Sequence, residues 1–157
     1  MLNLEIRSYL KVILISVLIF YPLSIFPDNL KGEEVYFIIV NSENPYKNKI
    51  DKGFRKISLI YKGNSKEWPG KLKATFISRG SNNLAEKEFY KKVLKMQDEE
   101  VQNYWKKKEK NGIYEPKSIS NIRQLVNEMS NNLGAISIIA KSEIKKMPAT
   151  IRVLYEF

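Results

Sequence analysis

LKATFISRGSNNLAEKEFYKKVL, residues 72–94, is the stretch on which the fold turns. Its first seven residues are rich in β-branched and aromatic side chains, with Ala74-Thr75-Phe76-Ile77-Ser78 at their centre, and predict a buried strand. Its last dozen predict a helix, with Leu84, Phe89, Val93 and Leu94 near one face. Between them Arg79-Gly80-Ser81-Asn82-Asn83 is a short turn that ends in good N-cap residues. A strand that enters a helix through such a turn leaves backbone N–H groups at the positive end of the helix dipole. With an arginine beside them, those groups form a candidate oxyanion site. An ordinary capped strand-to-helix loop has the same sequence signature.

Composition narrows the chemistry. The 157 residues suffice for one domain, and 43% hydrophobic with 28% charged residues suits a folded globular chain. Cysteine and histidine are both absent. This excludes disulfides, thiolate zinc sites, a cysteine nucleophile, Ser-His-Asp chemistry and histidine metal ligation. Carboxylates such as Glu43 or Glu86 remain for an enzyme, and they form no convincing pair, so no catalytic residue, metal ligand or cofactor is assigned. The net charge of +10 favours anionic partners.

Residues 1–28 read as an address. Arg7 and Lys11 precede an uncharged run from Val12 to Phe26, too short for the roughly twenty residues of a membrane span. A positive flank, a short apolar core and then Pro27-Asp28 is the order of a secretory signal peptide, with an uncleaved N-terminal anchor as the alternative. Either places the chain outside the cytoplasm, in the periplasm or secreted. An exported chain without a nucleic-acid motif is not expected to bind nucleic acid. Its lysines, among them Lys87, Lys91, Lys92, Lys95 and Lys106-Lys107-Lys108, then read as solvated helix faces or as contacts to an acidic envelope partner.

The remaining elements follow in order. Val35 to Val40 is a continuous apolar run, expected as a central strand covered on both faces, and Asn44-Pro45 turns the chain. A helix is predicted over residues 50–61 with Gly63 as its C-cap, and another from an N-cap at Asp98 to about Lys110. A third is capped by Ser118 or Ser120 and runs through Met129. Strands are predicted over 135–139 and 150–155. Strands alternating with helices predict an α/β domain over residues 31–157, with a mostly parallel central sheet flanked by helices. Tyr46, Trp68, Tyr104, Trp105 and Tyr114 could form a sugar-stacking set, although each alone reads as packing.

Four segments in order resemble the phosphate-specific ABC-transporter substrate-binding proteins of the type 2 periplasmic-binding-protein fold. They are Val40-Asn41-x-x-Asn44-Pro45; Leu59-Ile60-Tyr61-Lys62-Gly63 with Trp68-Pro69-Gly70; residues 72–94 followed by Trp105; and Leu133-Gly134-Ala135-Ile136-Ser137-Ile138. The resemblance implies a single periplasmic-binding-protein-like domain. In that family the loop matching Arg79–Asn83 carries an Arg-Ser-x-Gly-Ser-Gly-Thr pattern that helps to hold phosphate. Here Arg79, Ser81, Asn82 and Asn83 would stand in for it, with Ser42 from the first loop. The Gly-Ser-Gly-Thr run is missing, Glu43 would repel an anion, and the chain is about half the size of a two-lobed receptor. These departures imply weak or absent affinity for free phosphate. The expectation is therefore an exported, non-enzymatic substrate-binding-protein-like domain that binds phosphate or another small oxyanion and meets a membrane transporter or envelope partner. The alternative is an envelope structural or interaction protein that keeps the fold and has lost ligand binding.

Overall fold

An apolar run of six residues needs cover on two sides, and the fold supplies it. The computed structural model describes residues 33–47 and 54–157; the address at 1–28 and the start of the helix expected from residue 50 lie outside them. The strands are β1 (Tyr36–Asn41), β2 (Thr75–Phe76), β3 (Ala135–Ala140) and β4 (Ile151–Glu156), ordered β2-β3-β1-β4 in one sheet. Alternate residues of β1 face opposite layers. Ile38 and Val40 join Phe76, Ile136, Ile138 and Leu154 on one face, whereas Ile39 joins Ala135, Ile139 and Ile151 on the other. The first face is covered by α1 (Arg55–Tyr61), by α2 (Leu84–Phe89, continued by a wider π turn, Tyr90–Leu94) and by α3 (Asp98–Glu109). Leu125 and Met129 of α4 (Ile122–Asn131) cover the second.

The sheet is mixed, which corrects the expectation of mostly parallel strands. β2 and β3 are parallel, but β1 is antiparallel to both β3 and β4. A strand buried on both faces has the same apolar run whichever way it points, so its sequence carries no direction. The helix-bearing crossover between β2 and β3 does give the parallel pair that such a connection requires. β1 is inserted between β3 and β4 and runs against them. Consequently the loops after β2 and β3 lie at one end of the sheet, and the loop after β1 lies at the other.

Packing explains the motif segments. Tyr61 is the hub of the larger core, with ring centroids at 4.8 Å from Phe76, 5.3 Å from Phe89, 5.7 Å from Trp105 and 5.9 Å from Tyr90. Burying a ring such as Phe89 contributes about 2–3 kcal/mol. Trp68 packs against Tyr46 with the rings tilted and their centroids 4.9 Å apart, and donates from Nε1 to the Gly134 carbonyl at 2.9 Å, so two of the four segments touch. A Cβ on Gly134 would sit 1.8 Å from the Lys73 carbonyl oxygen, and only glycine lets the backbones come so close. Leu84, expected inward, is 61% exposed. The inward positions of α2 are Ala85, Glu86, Phe89, Tyr90, Val93 and Leu94, and Leu84 falls one residue outside that stripe. Gln97, rather than Asp98, caps α3 through a reciprocal box with Glu100, and Asn121 caps α4.

Candidate functional site

β2 is short because its pairing is taken over at once by the following loop. Ile77 N donates to Ile136 O at 2.8 Å, and Ser78 bridges to Ser118. Gly80, at φ +88°, turns the chain into α2, where Asn83 caps the helix by accepting from Glu86 N at 3.2 Å. The fourth residue of that Asn83-x-x-Glu86 spacing would ordinarily reach back to the cap's own N–H. Glu86 instead turns inward and is fully buried. Its carboxylate accepts from Arg79 N at 2.8 Å, Ser78 Oγ at 3.1 Å and Tyr90 OH at 3.1 Å. Ser78 Oγ in turn accepts from Gly80 N at 2.9 Å.

The Glu86 carboxylate thus lies among one backbone N–H, that of Arg79, and two hydroxyls, those of Ser78 and Tyr90, so the oxyanion held beside the turn is the chain's own. Burial pushes the Glu86 carboxyl above its ordinary range, against the three hydrogen bonds that favour its charged form. Burial, followed by the nearby Glu86 charge, raises the Tyr61 and Tyr90 phenols as well.

The guanidinium of Arg79 is also held internally. Arg79 is 2% exposed; Nη2 pairs with Glu143 Oε1 at 2.5 Å and Nη1 donates to the Ile119 carbonyl at 3.3 Å. Glu143 is fixed from its other oxygen, which accepts from Ala140 N at 2.8 Å. This arrangement follows from the parallel β2–β3 pair, which brings the two following loops together.

The expected site residues divide into three groups. Arg79 lies inside the loop, turned away from solvent. Ser81 and Asn82 are exposed on its outer side, with Asn83 half-buried behind them as the cap. Ser42 is exposed at the far end of the sheet, where its N–H donates to Thr150 O at 2.9 Å. The reversed direction of β1 separates it from Arg79 by roughly 15 Å along the strands, at about 3.3 Å per residue. One small ion cannot touch both. The asparagines beside Ser42 are structural: Asn41 Nδ2 donates to the Met129 and Ser130 carbonyls at the end of α4, and Asn44 Nδ2 donates to Leu133 O.

Outside the loop, Ser81 and Asn82 border a groove of about 610 Å³ between α2, α3 and the segment Tyr114–Glu115, floored by Tyr90 and Trp105. Trp105 Nε1 and the Tyr61 hydroxyl are both buried, and the Tyr61 hydroxyl interacts with the Trp105 and Tyr90 side chains in the core. Among the described residues, no cluster of acidic side chains could hold a metal ion, and no helix is long and apolar enough to cross a membrane.

No family model and no curated protein matches the sequence. Solved structures do match. An ABC-type phosphate transport receptor from Vibrio cholerae superposes with a TM-score of 0.54 at 13% identity, over 77% of this chain and 45% of the receptor. A protein from Clostridium perfringens, described as a phosphate ABC transporter substrate-binding protein and solved with phosphate bound, gives 0.55 at 15% identity over 77% and 44%. A protein described as a possible phosphate-binding protein from Planctomyces limnophilus gives 0.53 at 10% identity over 77% and 40%. This chain thus spans less than half the length of each, and the likeness it shares with these phosphate receptors is one of fold.

Proposed function

We propose that this chain is an exported, non-enzymatic module of the phosphate-receptor fold whose loop 79–83 no longer takes up free phosphate, and that it acts through contacts with an envelope partner. One observation carries the reading. The groups that would receive an oxyanion, Ser78 Oγ, Arg79 N and Tyr90 OH, already hold the Glu86 carboxylate, and the Arg79 guanidinium already holds Glu143. A phosphate entering this loop would have to displace a buried carboxylate of its own sign and leave it without donors. The exposed lysines of α2 and α3, such as Lys91 and Lys107, with Lys95 just after α2, give the surface that would meet an acidic partner, in keeping with the +10 charge.

The likeness of fold to phosphate receptors favours a second reading, in which Ser81, Asn82 and the N–H groups of the loop bind phosphate at its outer side. Isothermal titration of the full chain with phosphate, with sulfate as control, separates the two. The proposal expects no saturable heat at about 5 mM phosphate, a concentration that would reveal dissociation constants in the low millimolar range. Saturable heat that Ser81→Ala abolishes would establish the receptor reading instead.

A further inference from the structure

We infer that Asn111 is a modification site, an asparagine that deamidates spontaneously and whose conversion is gated by opening of the C-terminal turn of α3. The site lies away from loop 79–83, and the inference stands whatever that loop binds.

The chemistry needs a side-chain amide, the main-chain nitrogen of the next residue and room for the two to meet. Asn111-Gly112 supplies them. Glycine has no Cβ to obstruct the approach, and a Cβ built on Gly112 would find nothing within 4 Å, so no other element crowds the turn. Both residues are exposed, and the Asn111 amide makes only a long bond from Nδ2 to Lys107 O at 3.4 Å. By contrast, Asn41 and Asn44 are buried, and Asn83 and Asn121 hold helix caps. The Gly112 nitrogen, once its proton passes to solvent base, attacks Asn111 Cγ. The new C–N bond closes a cyclic imide, and the side-chain nitrogen leaves as ammonia. Water then opens the ring at either carbonyl. Attack at Cγ gives aspartate; attack at the main-chain carbonyl gives isoaspartate, in which the chain continues through Cγ.

The end of α3 is the gate. Gly112, at φ +71°, donates from its N–H to Glu109 O at 2.9 Å, and Ile113 N donates to Lys108 O at 3.2 Å, the paired bonds of a Schellman motif. While the first bond stands, the attacking nitrogen is engaged, so the reaction proceeds from the frayed end. Exposed helix ends lie at the low end of local opening free energies. This one is held shut by Ile113, half-buried against the larger core, and by Lys108 Nζ on Asn64 Oδ1 at 2.9 Å. The two products act differently on it. Aspartate lowers the +10 net charge by one and sets a carboxylate at the negative end of the helix dipole. Isoaspartate adds a methylene to the main chain just before Gly112, so the two bonds of the motif cannot both keep their register. The helix end then loosens from the turn after α1, where Ile113 lies against Gly63.

The test is incubation of the full chain for weeks at mildly alkaline pH, with every asparagine followed by peptide mapping and mass spectrometry. Aspartate and isoaspartate should accumulate at 111 ahead of all other asparagines, and Asn111→Gln should remove that signal. Ile113→Ala, or the milder Asn64→Ala that removes only the Lys108 contact, should speed the conversion and the hydrogen exchange of the Gly112 N–H by the same factor, because opening precedes both. The separated isoaspartate form should unfold at a lower temperature than the aspartate form. A folded chain that stays intact at 111 while the same chain in urea converts overturns the inference. So does conversion that runs ahead at another asparagine, or a rate at 111 that both variants leave unchanged while they speed the exchange.

Discussion

Replacing Glu86 by alanine removes the common acceptor of three buried donors, Ser78 Oγ, Arg79 N and Tyr90 OH. Each donor orphaned in the interior costs about 1–3 kcal/mol, so loss of all three without relief would exceed the stability of many domains. Two effects reduce this. The truncation opens room for about one water, which the three converging donors would hold, and it removes a carboxylate whose burial is itself unfavourable. A net loss of about 2–4 kcal/mol remains, equivalent to a fall of about 10 °C in unfolding temperature for a unit of this size. Thermal unfolding followed by circular dichroism at pH 7 measures it. Formate at about 100 mM, small enough to occupy the vacated nest, should restore part of the loss in Glu86→Ala and leave the wild type unchanged. A variant within about 0.5 kcal/mol of wild type would refute the idea that this carboxylate organises the loop.

Other consequences can be measured on the same protein. Because burial holds the Glu86 carboxyl above its ordinary value of 4.5, the native state keeps its proton longer than the unfolded chain. Its contribution to stability should be greatest below pH 4.5 and fall as pH rises through the folded value. The wild type minus Glu86→Gln difference in denaturant unfolding should therefore decline with pH over that window, and a difference that rises with pH contradicts it. Glu143→Ala leaves the Arg79 guanidinium buried beside only the Ile119 carbonyl; with Glu143 itself a quarter exposed, the cost should be about 1.5–3 kcal/mol by urea denaturation, and no loss would mean that the pair is idle. Gly134→Ala drives a Cβ into the Lys73 carbonyl and should cost at least about 3 kcal/mol or abolish soluble expression, whereas a stable variant would disprove the close approach. Asn83→Ala should cost about 1 kcal/mol through loss of the cap of α2, read in the same unfolding assay.

The elements were legible wherever a local signal existed. The run at residues 35–40 announced burial on both faces, the 135–139 run announced β3, and Asn111-Gly112 marked the end of α3. Direction was not legible, since Ile38, Ile39 and Val40 would look the same in either orientation, and the misplacement of Ser42 follows from that alone. The loop 79–83 lies between strand and helix as expected, but Arg79 N is bonded to Glu86 and Arg79 Nη2 to Glu143, the latter 64 residues away, and no spacing rule announces a contact at that separation. Glu86 did leave a trace, because the Asn83-x-x-Glu86 spacing marks a capping box; that the carboxylate turns inward to Ser78 and Arg79 depends on tertiary packing around Tyr90. Leu84 missed the apolar face because the stripe of α2 runs through Ala85 and Phe89.

A crystal structure of the full chain grown from about 50 mM phosphate tests the self-occupied loop most directly, since weak sites fill at such concentrations. The account predicts the Glu86 carboxylate within hydrogen-bond distance of Arg79 N, Ser78 Oγ and Tyr90 OH, with the Arg79 guanidinium on Glu143 and no phosphate between them. A phosphate seated on Arg79 N and Ser78 Oγ, with Glu86 displaced, would contradict it.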